Sequence, residues 1–137
     1  MKYWDSSALV GLVVREAATE ALEALLEDDP VVITWWASRV ECTSALARLE
    51  REGSLTADQA IAAAGVLAQF REGWRDVLPS DVVRESAERM VRTHPLRAAD
   101  AFQLAAALVA SDFRPGTLAF VSRDQRLLAA ARREGFS

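Results

Sequence analysis

The 137-residue sequence predicts an α/β fold of three layers, in which helices cover both faces of a central, mostly parallel sheet of four to five short strands. Two observations predict this fold. Short apolar, β-branched segments alternate with amphipathic helical segments along the whole chain, and no linker interrupts them. Strands that alternate with helices are joined by right-handed crossovers, which makes neighbouring strands parallel and places the helices on the sheet.

The first half of the chain contains two predicted strands and four predicted helices. KYW begins the first strand, and SSALVGLVV follows as a helix with Ser6 as its expected N-cap. ATEALEALLEDD has helical apolar spacing, and the β-branched segment PVVIT predicts the second strand. SRVECTSALARLEREG predicts a helix capped by Ser38, and TADQAIAAAGVLAQF predicts another that opens with a Thr56 and Gln59 capping box.

The second half contains two further predicted strands and three predicted helices. DVLPS is a weak strand prediction, whereas GTLAFVS is a clear one. DVVRESAERMVRTH predicts a helix that ends before Pro95, because proline restricts the residue that precedes it. LRAADAFQLAAALVASD predicts an alanine-rich helix, and DQRLLAAARREG predicts a final helix that ends at Gly135.

The composition argues against a membrane or secreted protein. No apolar segment approaches the roughly 20 residues that cross a bilayer, and Asp5 interrupts the N-terminal apolar stretch where a signal peptide would need continuity. We therefore expect a soluble, cytoplasmic protein without membrane association. The single cysteine, Cys42, cannot form an internal disulfide, which agrees with a reducing compartment.

The charges are distributed unevenly along the chain. Residues 1–70 contain 5 Lys and Arg against 11 Asp and Glu, whereas residues 71–137 contain 11 against 9. The net charge of −4 argues weakly against indiscriminate binding of nucleic acid. The second half is therefore the part that is better suited to face a polyanion.

Four carboxylates lie near the ends of different predicted elements. Asp5 follows the first strand, Asp124 follows GTLAFVS, and Glu41 and Asp100 lie in the first turns of two helices. Because ligands bind outside the carboxyl ends of the strands in open parallel sheets, these four side chains are candidates for one cleft. Asp5 stands out because Asp is disfavoured in strands and the residues on both sides of it are typical of buried surroundings.

Three of these acids also have a purely structural explanation. Ser38 and Glu41 have the spacing of a capping box, in which the acid merely satisfies a backbone N–H. Asp100 and Asp124 suit the positive N-terminal ends of helices. Position alone does not decide between capping and chemistry for these residues.

Carboxylates that converge on one cleft need compensation. Two like charges about 4 Å apart repel by roughly 4 kcal/mol at an effective dielectric near 20, so one carboxyl is protonated or a cation lies between them. Oxygen ligands suit Mg2+ or Mn2+, and the only histidine, His94, and the only cysteine offer no zinc site. His94, directly before Pro95, is expected to be a turn residue.

A hard divalent ion on carboxylates is suited to the hydrolysis of phosphodiesters, because it activates water and neutralises charge on the phosphate. Nearby hydroxyls would orient the ligands or their waters, and nearby guanidinium groups would bind substrate phosphates. The candidates for these two roles are the hydroxyls of Ser6, Ser7 and Ser122, and the side chains of Arg97, Arg123 and Arg126.

Four segments resemble the signature segments of PIN-domain proteins, most closely the VapC-type toxins of bacterial type II toxin–antitoxin pairs: YWDSSALV, SRVECTSALARL, LRAADAFQLAAALV and LAFVSRDQRLLAAARREGF. The resemblance covers essentially the whole chain and implies a single PIN domain over residues 1–137. It implies an Mg2+- or Mn2+-dependent endoribonuclease that cleaves RNA and is neutralised by a cognate antitoxin protein. We further expect a homodimer, and an antitoxin segment in an apolar groove near the acids.

The resemblance assigns the family's catalytic and metal-binding acids to four positions of this chain, and its hydroxyls to three. The acids are Asp5, Glu41, Asp100 and Asp124, and the hydroxyls are Ser6 or Ser7 after the first acid and Ser122 before the last one. Two features depart from the family pattern. TWWAS stands where a small hydroxyl residue is common, and EGFS stands where a last edge strand commonly follows. Trp35 and Trp36 are interpreted as core or subunit-interface residues, with base stacking as the alternative.

Two other classes of function compete with the nuclease hypothesis. The first is a phosphoacceptor or phosphatase domain that uses Asp5 as a nucleophile, but the chain has no late lysine and reads DSS where such phosphatases have D-x-D. The second is a PIN-like module that binds RNA or a partner without cleaving. The presence of acids at all four positions argues against this second alternative, because unused clustered carboxylates would reduce stability.

Overall fold

Residues 1–137 are described by a computed structural model, which contains seven α-helices, two 3-10 turns and four β-strands. In chain order, the strands and helices are β1 (Lys2–Trp4), α1 (Ser6–Val13), α2 (Thr19–Asp28), β2 (Val32–Trp35), α3 (Ser38–Arg51), α4 (Ala57–Phe70), β3 (Arg75–Val77), α5 (Asp81–Thr93), α6 (Ala98–Ala110), β4 (Ala119–Val121) and α7 (Gln125–Arg133). The 3-10 turns are Arg71–Gly73 and Pro115–Thr117. No helix is both long enough and apolar enough to span a bilayer.

The four strands form one parallel sheet in the order β3-β2-β1-β4. β1 is an inner strand, with Tyr3 opposite Ile33 of β2 on one side and opposite Phe120 of β4 on the other. Because all strands run in the same direction, their carboxyl ends share one edge of the sheet. Asp5, the residue after β1, therefore lies in the interior of that edge.

Helices cover both faces of the sheet, as the sequence predicts. Successive strand residues point to opposite faces. Tyr3 belongs to an apolar cluster of 18 buried residues that is completed by α5, α6 and α7. Trp4 belongs to a second cluster, of 11 buried residues, that is completed by α1, α2, α3 and α4. The three-layer prediction and its parallel sheet are confirmed, with four strands.

Two of the predicted helix caps are wrong. α1 begins at Ser6, but its N-cap is Asp5, whose carboxylate accepts a hydrogen bond from the Ala8 N–H at 3.0 Å. α3 begins at Ser38, and the residue before it is an N-cap without any side-chain hydrogen bond. The Ser38 and Glu41 capping box is therefore absent, because both side chains have partners elsewhere in the fold.

The other helix and strand boundaries lie close to the predictions. α4 begins with the expected capping box of Thr56 and Gln59, in which each side chain accepts a hydrogen bond from the backbone N–H of the other residue. DVLPS overlaps the strand β3 only at its first two residues, because β3 begins upstream at Arg75. His94 ends α5 as predicted from Pro95, and its Nε2 lies 2.6 Å from Glu134 Oε1, so it pairs with the end of the chain rather than with the four acids.

The last residues of the chain lie along β4 without forming a further strand. The Phe120 N–H donates to the carbonyl oxygen of Ser137 at 3.0 Å. Phe136 is buried, and its ring centroid lies 5.6 Å from that of Phe120. Trp35 is also a core residue, stacked on Phe102 at 5.4 Å, whereas Trp36 is 52% exposed.

Gly11 marks the closest approach of three segments around α1. A Cβ atom at this position would lie 2.6 Å from Leu22 Cδ1 of α2 and 2.9 Å from Arg123 Cδ, after β4. A side chain at this position would therefore force Leu22 and Arg123 to shift. The close packing matters for function because Arg123 follows the strand end that borders the candidate site.

We expect Gly11→Ala to lower the free energy of unfolding by about 1–3 kcal/mol, because forcing a methyl group into a packed interface displaces its neighbours. This loss outweighs the gain of about 0.5–1 kcal/mol that alanine brings to a helix interior. Urea denaturation at pH 7 measures the change.

Gly65 provides a matched control, because it lies inside α4 and no atom lies within 4 Å of its Cβ position. Gly65→Ala should therefore raise the free energy of unfolding by about 0.5–1 kcal/mol. Equal stabilisation by both substitutions would contradict the close packing at Gly11.

Candidate active site

The carboxylate of Asp5 lies at the carboxyl end of β1 and is only 3% exposed. Its Oδ1 accepts hydrogen bonds from the Ala8 N–H at 3.0 Å and from Ser7 Oγ at 2.8 Å. Its Oδ2 accepts a hydrogen bond from Ser122 Oγ at 2.9 Å. The donors belong to α1 and to the segment after β4, so this single carboxylate joins three elements at one edge of the sheet.

The environment of Asp5 opposes its ionisation. Burial, with a smaller contribution from the charge of Asp124, raises its pKa from 3.8 to about 6, even though the hydrogen bonds from Ala8, Ser7 and Ser122 favour the carboxylate. A charge that remains buried at neutral pH destabilises the fold unless a cation approaches it.

Asp124 lies in the turn between β4 and α7, which hydrogen bonds hold in place. Its N–H donates to Ser122 Oγ at 3.0 Å, and the neighbouring Arg123 N–H donates to Ser7 Oγ at 2.9 Å. Asp124 Oδ1 caps α7 by accepting from the N–H groups of Arg126 and Leu127 at 2.9 and 3.1 Å. The capping explanation thus holds for Asp124, and only Oδ1 takes part in the cap.

Glu41 projects from the first turn of α3 and is half-buried. Its Oε2 accepts a hydrogen bond of 2.6 Å from Gln103 Nε2 on α6, across the sheet edge. Burial raises the pKa of Glu41 and the charge of Asp100 adds to this, whereas the bonds from Gln103 and the Ser6 hydroxyl lower it. The partners of Glu41 are thus tertiary neighbours and not the backbone of its own helix.

Asp100 lies in the first turn of α6 and is also half-buried. Burial raises its pKa, and the charge of Asp124 raises it further. The positive charges of Arg97 and Arg126 act in the opposite direction. Asp100 therefore faces both another carboxylate and two guanidinium groups.

One cleft of about 670 Å³ brings together all four acids that the sequence singles out. Ser6 and Ser7 also lie in its wall, whereas Ser122 reaches it only through its bond to Asp5. The lining residues are Asp5, Ser6, Ser7, Val10, Glu16, Val40, Glu41, Ser44, Ala45, Arg48, Leu49, Ala99, Asp100, Arg123 and Asp124.

The three candidate arginines have different surroundings. Arg97 and Arg126 line a smaller polar cleft of about 430 Å³ that shares Asp100 and Asp124 with the main one. Arg123 lines the main cleft, but its guanidinium group is ion-paired with Glu16. Arg97 and Arg126 therefore present cations next to the acids, whereas Arg123 already has an internal anion as its partner.

Sequence reasoning did not identify three residues at the site: Gln103, Glu16 and Arg48. Gln103 carried a usable signal, because it is the one long polar side chain among the alanines and leucines that follow Asp100, one helical turn away. Glu16 and Arg48 line the cleft, but nothing in their sequence context distinguishes them from other charged surface residues.

The donor set in the cleft, which is made of carboxylate oxygens, fits a hard divalent cation. The titratable residues in the cleft wall are carboxylates and arginines, and three of the four acids have raised pKa values. No three His, Cys, Asp or Glu side chains lie close enough together to enclose an ion by themselves. This open arrangement fits Mg2+, which usually keeps several waters and binds through only one or two carboxylates.

Comparisons with known proteins agree with this architecture. The family model described as PIN domain matches residues 2–133. Two Mycobacterium tuberculosis proteins, ribonuclease VapC45 of strain CDC 1551 / Oshkosh and ribonuclease VapC49 of strain ATCC 25618 / H37Rv, are each 32% identical to this chain over 133 residues, which is 97% of this chain and 90% of each relative. A family match over nearly the whole length, with relatives of this identity and coverage, shows that the chain belongs to the PIN-domain family.

Proposed function

We propose that the protein is an endoribonuclease that hydrolyses RNA phosphodiester bonds with Mg2+ or Mn2+ and acts as the toxin of a toxin–antitoxin pair. The observation that carries this proposal is the cleft in which Asp5, Glu41, Asp100 and Asp124 come together from four different parts of the chain. Similarity to ribonucleases VapC45 and VapC49 over nearly the full length supports RNA as the substrate.

Asp5, Glu41 and Asp100 are the proposed ligands, directly or through water, and Asp124 is more peripheral because one of its oxygens caps α7. The raised pKa values of the first three acids support this choice, since burial, with a smaller contribution from neighbouring acids, raises them and a nearby cation would favour their ionised forms. A bound divalent ion would supply activation of a water for attack on phosphorus and neutralisation of charge on the phosphate.

The other residues of the cleft have supporting roles in this proposal. Ser7 and Ser122 hold the Asp5 carboxylate by hydrogen bonds, which leaves it little freedom to rotate. Arg97 and Arg126 lie beside Asp100, where they would bind the substrate phosphates that the acids repel. Arg48, on the same helix as Glu41, extends this set along the cleft wall.

Arg123 differs from the other arginines in this proposal. Its guanidinium group is paired with Glu16, so contact with a phosphate requires an exchange of partners. Both side chains are about one-third exposed, and an ion pair of such exposure contributes only about 0–1 kcal/mol. The exchange is therefore energetically accessible.

Two alternatives remain to be weighed against the nuclease. A phosphatase that uses Asp5 as its nucleophile gains no support, because the chain reads DSS where such phosphatases have D-x-D, and Lys2 is its only lysine. A PIN-like module that binds RNA or a partner without cleaving is favoured by one observation, the open spacing of the acids. The metal-dependence experiment below separates this module from the nuclease.

An apolar groove of about 610 Å³ beside the acids supports the proposed antitoxin partner. It lies between α1, α3 and α4, and Val13, Leu55 and Val66 are among its apolar residues. It shares Glu16 and Leu49 with the acid cleft, so a peptide in the groove would end next to the proposed metal ligands. An arginine of that peptide could then reach the carboxylates. We also propose that the toxin forms a homodimer.

We expect Asp5→Asn and Asp100→Asn each to reduce RNA cleavage by about 100-fold or more, because stabilisation by a metal ion is worth several kcal/mol in the transition state. Cleavage of total RNA by the purified protein in Mg2+ or Mn2+, and in a chelator, measures the loss.

Asp81→Asn is the matched control, because Asp81 lies in the first turn of α5, as Asp100 does in α6, but is exposed and outside the cleft. It should cleave RNA as the parent does. Undiminished cleavage by either site variant, or full activity in the chelator, would show that the proposed site is wrong.

We expect the stability of Asp5→Asn, compared with that of the metal-free parent at the same pH, to increase as the pH rises from about 4 to about 6. Well below pH 3.8, Asp5 is protonated in both the folded and the unfolded state. Because its folded pKa is raised from 3.8 to about 6, the unfolded state ionises first and the parent loses stability over this window. The difference between variant and parent should grow by about 3 kcal/mol, since each pKa unit is worth about 1.4 kcal/mol.

Urea denaturation of both proteins in a chelator, at pH 4 and at pH 7, measures this change. Parallel pH dependence of variant and parent would mean that Asp5 is not held in a desolvating site.

We expect Val66→Glu to weaken binding of the antitoxin by at least about 10-fold, because it places a charge in the apolar groove. The probe is the product of the small open reading frame adjacent to the gene, and binding is measured by titration calorimetry. Ile61→Glu is the control, because Ile61 is exposed on the same helix but outside the groove. Equal effects of both substitutions, or no complex with the parent, would count against the groove as the docking site.

A further inference from the structure

Gln103 links the buried core to Glu41. Its side chain is 2% exposed, on the face of α6 that packs against the sheet. Gln103 Oε1 accepts a hydrogen bond of 2.6 Å from the Tyr3 hydroxyl of β1. Gln103 Nε2 donates to Glu41 Oε2 at 2.6 Å and to Ser38 Oγ at 3.0 Å. The Tyr3 hydroxyl and both polar atoms of the Gln103 amide therefore all form hydrogen bonds. One of these bonds is to Glu41, which lines the acid cleft.

This network fixes the orientation of the Gln103 amide. Tyr3 is fully buried, and its phenolic O–H donates its single proton to the Gln103 amide oxygen. The amide oxygen must face this donor, which directs both N–H groups toward Ser38 and Glu41. The reversed amide would place its oxygen against a carboxylate and its NH2 group against a hydroxyl proton.

Two buried hydroxyls, those of Thr34 and Ser38, continue the hydrogen-bond network beyond Gln103. Thr34 and Ser38 are both fully buried, and their hydroxyl oxygens lie 2.6 Å apart. Thr34 Oγ1 donates its single proton to the Trp4 carbonyl oxygen at 2.7 Å, so the Ser38 hydroxyl donates to Thr34 and its oxygen is free to accept from Gln103. Every hydroxyl and amide proton in the network has an acceptor, which makes it rigid.

We propose that Gln103 is a positioning residue, which holds the carboxylate of Glu41 at a fixed place in the cleft wall where a divalent cation binds. This inference rests on the proposed function. An amide among leucines and alanines is costly to bury unless its hydrogen bonds are made, and one of those bonds is to the carboxylate. The Gln103 bond engages Oε2 of Glu41, so Oε1 can point into the cleft as a ligand.

The test is the affinity of the protein for Mn2+, measured by titration calorimetry and by electron paramagnetic resonance of the free ion. Gln103→Met keeps the length of the side chain and removes both amide donors. It should weaken Mn2+ binding by about 10- to 100-fold, the usual effect of removing a group that orients a metal ligand. Circular dichroism reports whether the variant is folded.

Ser111→Ala is the matched control for a general loss of stability. Ser111 is buried just after α6, and its hydroxyl donates to the Leu108 carbonyl oxygen at 2.8 Å, away from the cleft. Its removal should leave Mn2+ affinity unchanged. Equal losses in both variants would indicate a purely structural role for Gln103 and overturn the proposal.

A double variant tests whether Gln103 acts through Glu41. If it does, Gln103→Met combined with Glu41→Gln should bind Mn2+ as Glu41→Gln alone does, within about twofold, because the group that Gln103 positions is already lost. Losses that multiply would show that Gln103 acts by another route and would overturn the proposal.

The outcomes separate this inference from the proposed function. A parent that binds Mn2+ together with a Gln103→Met variant that binds equally tightly overturns the role of Gln103 alone. A parent that binds no Mn2+ overturns the proposed function, and the positioning role with it. If Gln103→Met does not fold, Tyr3→Phe replaces it, because loss of the Tyr3 hydroxyl allows the Gln103 amide to turn. Weaker Mn2+ binding by Tyr3→Phe supports the proposal, and unchanged binding overturns it.

Discussion

The buried carboxylate of Asp5 is the constraint on which the rest of the structure depends. It lies at the end of an inner strand, where an unpartnered charge would be very costly. Its hydrogen-bond donors come from the first turn of α1 and from Ser122 after β4, so satisfying the charge fixes where the helix starts and where the last strand ends. The Asp5 carboxylate therefore serves both the fold and the candidate site, and replacing it alters both.

The candidate site also depends on both helical layers. Glu41 comes from α3 on one face of the sheet, whereas Asp100 and Gln103 come from α6 on the other. At the edge where the strands end, the hydrogen bond between Glu41 and Gln103 crosses from one layer to the other. The core fixes this contact, because Tyr3 of the central sheet orients the Gln103 amide that donates to Glu41.

The sequence predicted those features that depend on local pattern. Short apolar segments indicate buried strands, so β2 and β4 on either side of β1 were predictable. The four acids were predictable because they lie near the ends of these predicted strands and helices. β3 was predicted only in part, because its residues are half-buried or exposed and show no clear alternation. The caps at Ser6 and Ser38 were mispredicted because capping rules describe neighbours along the chain. Ser38 instead bonds to Gln103, 65 residues away, and no local pattern encodes such a partner.

The pairing of β1 with β4 has a consequence for the order in which the molecule is made. Asp5 and Ser122 are separated by 117 residues, and closing so long a loop is one of the slow steps in the folding of parallel sheets. A chain still emerging from the ribosome can pair β1 with β2 but lacks β4 and Ser122, so Asp5 lacks one of its hydrogen-bond donors and β1 lacks one of its two neighbouring strands. The acid cleft is thus complete only when synthesis has passed Asp124, the last of the four acids. For the proposed ribonuclease, this delay would separate translation of the chain from the moment at which the cleft becomes able to cut RNA.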